Sequence, residues 1–265
     1  MANIFITGVS SGIGKTSAER LIAGGHRVVG GSRRPTTFRS PLGHWVALDV
    51  TDPASIVAAG EEATGWLGEV DVVVNNAGVT LNAFVEETPV AEARALFETD
   101  FWGVVGVNSF FLPAMRSRRS GRIVIVGSLA GRVGAIGQGF YSAAKHALEG
   151  YGETLAAEVE GFGIAVNIVE PGFHRTALHV GMQRRQQYIA DYDRYRDSVS
   201  RSIEQAFTAG ADPVRVADAI CRLIERNSSA LRHPVGSDAR WVPRLKNVVP
   251  PSLFMARLRN RFGMR

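Results

Sequence analysis

A five-residue run, Asn3-Ile4-Phe5-Ile6-Thr7, passes directly into Gly8-Val9-Ser10-Ser11-Gly12-Ile13-Gly14, and a helical pattern follows to about Ala23. A buried strand, a glycine-rich turn and a helix in immediate succession constrain this chain more than any other feature. Glycine lets the backbone turn sharply and approach a ligand closely. The helix start adds unpaired N–H groups and a partial positive charge, so the turn suits a pyrophosphate. The spacing is neither Gly-x-Gly-x-x-Gly nor a Walker loop; its place after a buried strand gives it weight.

The alternation continues along the chain. Short Val- and Ile-rich runs at His26 to Gly31, Trp45 to Leu48, Val70 to Val74, Arg122 to Val126 and Ile164 to Val169 read as strands, with Leu231 to Val235 as a seventh. Helical patterns occupy Pro53 to Trp66, Ala91 to Arg118, Phe140 to Phe162 and Pro213 to Glu225. Strands alternating with helices predict right-handed crossovers and an α/β, Rossmann-like, doubly wound parallel sheet of about seven strands with helices on both faces. No linker or repeat divides the chain, so residues 1–265 read as one dinucleotide-binding domain, with a polar helical insertion at about 174–210 and a C-terminal extension at about 236–265.

Composition closes off other classes. With 45% hydrophobic and 21% charged residues, the chain has enough apolar material to fold. One cysteine, Cys221 on an apolar helix face, allows no internal disulfide and reads as a buried, inert thiol. No apolar stretch approaches the roughly 20 residues of a membrane span, and the N-terminus lacks the pattern of a secretory signal. A cytoplasmic location is expected. The histidines are scattered without a metal-binding spacing, so no metal is expected. The net charge of +5 comes almost wholly through arginine, lysine occurring only at positions 15, 145 and 246. No nucleic-acid motif accompanies it, so nucleic acid is not an expected partner.

The second strand ends Gly30-Gly31-Ser32-Arg33-Arg34. An acidic residue here would bind the ribose diol of NAD, whereas a pair of guanidinium groups suits a 2′-phosphate. NADP(H) is therefore expected in preference to NAD(H). Further on, Tyr141 and Lys145 stand four apart and so neighbour each other on a helix. An ammonium beside a phenol favours the phenolate, which predicts a lowered pKa for Tyr141 and proton exchange with a carbonyl or alcohol oxygen near neutral pH. Ser128 follows the fifth strand at the carboxyl edge, where open α/β sheets bind ligands.

These motifs, in this order, resemble the short-chain dehydrogenase/reductase family over about residues 3 to 235. Thr7-Gly8-x-x-x-Gly12-Ile13-Gly14 is similar to its cofactor turn, with Ser10 and Ser11 inside it. Asp49-Val50 is similar to the pair that contacts adenine, and Asn75-Asn76-Ala77-Gly78 to the family's Asn-Asn-Ala-Gly segment. Ser128 and Tyr141-x-x-x-Lys145 resemble the catalytic set, and Pro171-Gly172-Phe173-His174-Arg175-Thr176 the turn near the nicotinamide carboxamide. The resemblance implies that Lys145 also holds the nicotinamide ribose, and that the chain forms a homodimer or homotetramer through its long helices. One position departs from the pattern. The family's helical asparagine, followed three residues later by glycine, is replaced by Asp100 in Thr99-Asp100-Phe101-Trp102-Gly103. Asp100 retains an acceptor but loses the amide donor. Asn108 is not followed by glycine at that spacing and is given no role.

Two functions stay open. One is an NADP(H)-dependent oxidoreductase that interconverts an apolar ketone or aldehyde and its alcohol. The other is an NADP(H)-binding regulatory protein with little turnover, on account of Asp100. The small, mostly apolar loop Leu129 to Gly139 is expected to face the substrate. Tyr188, Tyr192 and Tyr195 form one helical stripe in the insertion, either packed on the body or serving as a lid. The tail from Pro250 alternates Leu253, Phe254, Met255, Leu258 and Phe262 with arginines. It reads as a helix docked on its own body or on another subunit, or as one lying on an anionic membrane.

Overall fold

Successive side chains of a strand face opposite sides of a sheet, and the central runs here are apolar at nearly every position, so both faces demand cover. The computed structural model, which describes residues 1–175, 189–226 and 228–264, meets that demand. Strands β1 (Asn3–Thr7), β2 (Arg27–Ser32), β3 (Gly43–Ala47), β4 (Val72–Asn75), β5 (Gly121–Val126), β6 (Ile164–Pro171) and β7 (Arg232–Val235) form one sheet. Their order is β3-β2-β1-β4-β5-β6-β7, and every neighbouring pair is parallel. The fold is the expected Rossmann-like, doubly wound one.

The alternation decides the two faces. Ile4 and Ile6 of β1, Val72 and Val74 of β4 and Val124 of β5 pack with helices α1 (Gly12–Ala23) and α7 (Val214–Glu225). Phe5, Val73, Ile123 and Ile125 point the other way, against α2 (Pro53–Leu67), α4 (Gly103–Arg118) and α5 (Gly139–Val159). The start of α2 is set locally: Pro53 takes the first helical position, and the Asp52 carboxylate accepts the Ala54 N–H at 2.9 Å.

The structure corrects one predicted helix. The segment read as continuous from Ala91 to Arg118 divides into α3 (Val90–Phe97) and α4, joined by a wide π-helical turn over Glu98–Trp102. The extra residue in that turn carries Asp100 inward to full burial. π-turns tend to occur where a helix is deformed for a site.

Three further helices follow β6: α6 (Asp193–Thr208), then α8 (Ser237–Val248) and α9 (Pro251–Arg261) after β7. Helix α8 is not anticipated by the sequence pattern. The tail docks on its own body: Phe262 is buried with Phe84, Val199 and Ile203, flanked by Leu258, Tyr192, Tyr195 and Phe207. Tyr192 stacks on Phe84 at 4.6 Å, while Tyr188, the first of the predicted stripe, lies outside the described residues.

Charge also fastens α6. The Arg196 guanidinium donates to both carboxylate oxygens of Glu87 at 2.7 Å, and Glu87 also accepts the Ile189 N–H at 2.9 Å. Their side chains are only 14% and 3% exposed, so little solvent screens the pair. Removing one partner of such a pair costs about 3 kcal/mol. Glu87→Gln is therefore expected to loosen α6 selectively, with faster amide hydrogen exchange over residues 193–208 and unchanged exchange in α1 and α7. Unchanged protection of α6 would refute that role.

Candidate active site

At the carboxyl edge of the sheet a cavity of about 870 Å³ opens where strand order reverses between β1 and β4. Open α/β sheets bind ligands at such a switch point. One wall is the glycine turn. Gly8 and Gly12 have φ of +77° and +57°, a region L side chains avoid, and the space a Gly12 side chain would enter is empty. Gly8, Ser10, Ser11, Gly12 and Ile13 line the cavity. Gly14, predicted with them, is not among its lining residues. It packs behind the turn, where a side chain would strike the Gly8 carbonyl and the Asn76 amide. Asn76 supports the turn from below: its Nδ2 donates to the carbonyls of Thr7 at 2.9 Å and Gly8 at 3.2 Å. Thr7 Oγ1 in turn accepts the N–H groups of Asn76 and Ala77, at 3.0 and 2.9 Å.

The second wall lies at the end of β2. Arg33 and Arg34 are exposed and line the cavity with Asp49 and Val50. The Ser32 hydroxyl is already engaged, donating to the Arg34 carbonyl at 2.7 Å and accepting from Trp45 Nε1 at 2.9 Å. Asp49 accepts the backbone N–H and hydroxyl of Thr51, and these bonds, helped by Arg33, hold its carboxyl below the usual range. The wall thus offers exposed guanidinium groups, a donor set that fits an anionic dinucleotide.

Ser128, Tyr141, Lys145 and Asp100 meet at the floor. Ser128 ends the loop after β5, while Tyr141 and Lys145 lie one turn apart on α5, with the ammonium 5.7 Å from the phenol ring centre. Lys145 Nζ lies 3.1 Å from Asp100 Oδ2 and donates to the Val126 carbonyl at 3.3 Å. The other Asp100 oxygen accepts the Val79 N–H at 2.7 Å. Asn108 instead bridges buried groups, accepting from Asn75 at 2.7 Å and donating to the Tyr151 hydroxyl at 3.2 Å.

The electrostatics correct the expectation for Tyr141. Burial pushes its phenol above the usual value and the Asp100 carboxylate adds to that, while Lys145 and a hydrogen bond with Ser128 pull the other way. Burial likewise raises the Asp100 carboxyl against the pull of Lys145. Burial works against the charged ammonium, yet Asp100 and Tyr141 together raise the Lys145 pKa. The ammonium is present as predicted, but its field is shared with a carboxylate.

Pro171, Gly172 and Phe173 close the far side. Sequence reasoning missed the residue that holds them: Asp238, in the first turn of α8, accepts the Phe173 N–H at 2.7 Å and fills the space beside Gly172. Its partners stand 65 positions upstream, so no local pattern could reveal it. Thr176, predicted with this turn, lies outside the described residues. The loop after Ser128 faces the cavity through Leu129, Ala130, Val133 and Ala135. The mouth is completed by Phe207 of α6, Val242 of α8, Leu258 of α9 and Phe262, of which the sequence pointed only to the insertion. Among the described residues no cluster of His, Cys, Asp or Glu could hold a metal ion.

This fold and floor define an oxidoreductase that acts on a CH–OH or C=O group with a nicotinamide dinucleotide. The chain belongs to the short-chain dehydrogenase/reductase family: the family model described as short chain dehydrogenase matches residues 2–187. The 3-ketodihydrosphingosine reductase of Bacteroides thetaiotaomicron is 35% identical over 266 residues, covering 99% of this chain and 98% of that protein. The 3-oxoacyl-(acyl-carrier-protein) reductase of Salmonella typhimurium is 39% identical over 179 residues, covering 65% of this chain and 73% of that protein. The crystal structure of a short-chain dehydrogenase from Streptomyces avermitilis superposes with a TM-score of 0.82 at 34% identity, covering 96% of this chain and 95% of that one.

The Asp100 carboxylate raises the Tyr141 phenol pKa, so its removal should lower it. Alcohol oxidation through Tyr141 would require the phenolate. In Asp100→Asn the acid limb of the kcat/KM profile for oxidation is therefore expected to move to lower pH. A limb that stays in place or moves to higher pH would show that Asp100 does not govern the phenol.

Proposed function

We propose that this chain is an NADP(H)-dependent oxidoreductase that interconverts an apolar ketone or aldehyde and the corresponding alcohol, with Tyr141 as the acid and base. The observation that carries this reading is the convergence of Ser128, Tyr141 and Lys145 on one cavity whose other end carries Arg33 and Arg34. When bound, the nicotinamide dinucleotide supplies or accepts the hydride. The turn from Gly8 to Ile13 and the start of α1 would hold its pyrophosphate, with Gly14 and Asn76 keeping the turn in shape. Asp49 and Val50 would flank the adenine, Arg33 and Arg34 would take the 2′-phosphate, and Asn76, Ala77 and Gly78 would line the path between the two ends. Lys145 would hold the nicotinamide ribose, and Pro171, Gly172, Phe173 and Thr176 the carboxamide.

Tyr141 donates its proton to the carbonyl oxygen during reduction and withdraws it from the hydroxyl during oxidation. Ser128 donates a hydrogen bond to the same oxygen. Lys145 stabilises the phenolate through its charge, and Asp100 sets how much of that charge reaches the phenol. The apolar mouth supports a hydrophobic substrate, as do the names of the two relatives, both reductases of a 3-keto or 3-oxo compound. We read residues 1–265 as one unit in which α6 acts as a lid, assembled as a homodimer or homotetramer in the cytoplasm. No helix of the described residues is long and apolar enough to cross a membrane.

The Asp100–Lys145 pair also favours a second reading, a dinucleotide-binding regulator whose phenol is too weakly activated to turn over. Tyr141→Phe separates the two. Loss of an acid–base group costs roughly 10²- to 10⁴-fold, so a reductase should lose that much kcat toward apolar ketones while its dinucleotide affinity is retained. A regulator would bind NADPH tightly and show no Tyr141-dependent turnover. Cofactor choice has its own test. Charge-assisted hydrogen bonds contribute about 1.5–3 kcal/mol, so replacing Arg33 and Arg34 by alanine is expected to weaken NADPH at least tenfold more than NADH in a fluorescence titration. Equal losses would show that these arginines do not read the phosphate.

A further inference from the structure

The positive charge of this chain is segregated. Residues 236–265 contain seven Lys and Arg and a single acid, Asp238, while the other 235 residues hold 23 basic and 24 acidic side chains. The whole surplus of +5 therefore resides in the last thirty residues. Asp238 is turned inward onto the Phe173 N–H and does not offset the charge outside. Arg240, Arg244, Arg257 and Arg259 are exposed, with no ion pair to a described residue.

The same segment carries an apolar surface. Trp241, Leu245, Val248, Leu253 and Met255 are 66%, 41%, 79%, 47% and 50% exposed. Trp241, Leu245 and Val248 stand at i, i+4 and i+7, so they form one outward stripe of α8. The Arg244 guanidinium lies 5.3 Å from the Trp241 ring, which places a cation beside the aromatic face. Exposed apolar residues scattered singly call for no account, but five within residues 241–255 do. Meanwhile α8 and α9 send Val242 and Leu258 into the mouth of the cavity, with Phe262 just after α9.

We infer that the exposed apolar and basic side chains of α8 and α9 dock on the surface of an anionic lipid bilayer and so set the cavity mouth beside the lipid. Apolar side chains interleaved with arginine enter the boundary between headgroups and acyl chains, the arginines pairing with anionic headgroups. A second copy of the chain is the poorer occupant, because a two-fold contact would press two equally basic faces together. Docking itself stands on the surface alone. Its consequence rests on the reductase reading: an apolar carbonyl compound dissolved in the bilayer would pass to Leu258 and Phe262 without crossing water.

Sedimentation of the full chain with vesicles tests the proposal. Vesicles of phosphatidylcholine are compared with vesicles of equal parts phosphatidylcholine and phosphatidylglycerol, at low and high salt. Two variants are run beside the wild type: Trp241→Ser/Leu245→Ser/Val248→Ser, and Arg240→Gln/Arg244→Gln/Arg257→Gln/Arg259→Gln. The wild type is expected to pellet with the anionic vesicles in a salt-sensitive manner, and each variant to partition at least about tenfold less. Equal pelleting with both vesicle types, or variants that bind like the wild type, would overturn docking. So would light scattering that shows a wild-type dimer turned monomer by the apolar variant without any vesicle binding, since the face would then join two subunits. Turnover of a water-miscible ketone without vesicles is measured in parallel and is expected to be equal in all three proteins. Its absence from the wild type would count against the reductase reading and leave the docking result standing.

Discussion

A lysine and an aspartate, both almost wholly buried, meet at 3.1 Å at the cavity floor. Neither charge could be left alone there: removing one partner of a buried pair strands the other at a cost of about 3–5 kcal/mol. The pair also binds elements together. Asp100 sits in the π-turn between α3 and α4, and its second oxygen takes the Val79 N–H just beyond β4. Lys145 rises from α5 and donates to Val126 at the end of β5. Four separate stretches of chain are thus fixed together at the carboxyl edge of β4 and β5. A straight α-helix from Val90 to Arg118 would not have the extra residue that turns Asp100 inward, so the helical distortion and the ion pair are two sides of one arrangement.

Helix α5 repeats this theme one turn on. Tyr141, Lys145 and Glu149 stand at successive four-residue steps and share a face. Glu149 accepts from Arg232 of β7 at 2.9 Å, and Arg232 and Arg132 both bond to buried Glu170 or lie beside it. Burial and the neighbouring Glu170 push the Glu149 carboxyl up to about 7, despite the two arginines. The helix that presents the phenol is therefore anchored at two levels by buried charge, and the Ser128 loop is held between them, with Gly131 packed against the Lys145 backbone and Glu149. Rigid support of this kind keeps reacting groups in register.

What could be read from the chain beforehand follows the range of the interactions. The strand–glycine–helix succession, the four-residue spacing of Tyr141 and Lys145 and the alternation that splits Ile4 and Ile6 from Phe5 are local, and local pattern conveys them. The sign of the net shift at Tyr141 was not local: the ammonium was visible as a neighbour on the helix, but burial of the phenol and competition from Asp100 depend on the fold. Asp238 was invisible for the same reason, its partner being 65 residues away. Ser32 is a subtler case. Its position at the end of β2 was legible, yet its hydroxyl is consumed by Trp45 and the Arg34 carbonyl, contacts that need β3 alongside β2.

The family match and the cavity mouth lie in different parts of the molecule. The family match spans residues 2–187, which include the glycine turn, the arginine wall and the Ser128, Tyr141 and Lys145 floor. Phe207, Val242, Leu258 and Phe262, which shape the mouth, all lie beyond it. The geometry of the first part is tied to backbone turns and buried charge that admit few alternatives. The mouth is assembled from side chains of α6, α8 and α9 and of Phe262, which holds the tail in place by packing on α6 rather than by pairing with any strand. Such a contact can be rebuilt with other apolar residues at little cost to the sheet, so on the reductase reading proposed above the mouth could be reshaped for another substrate while the floor stays as it is.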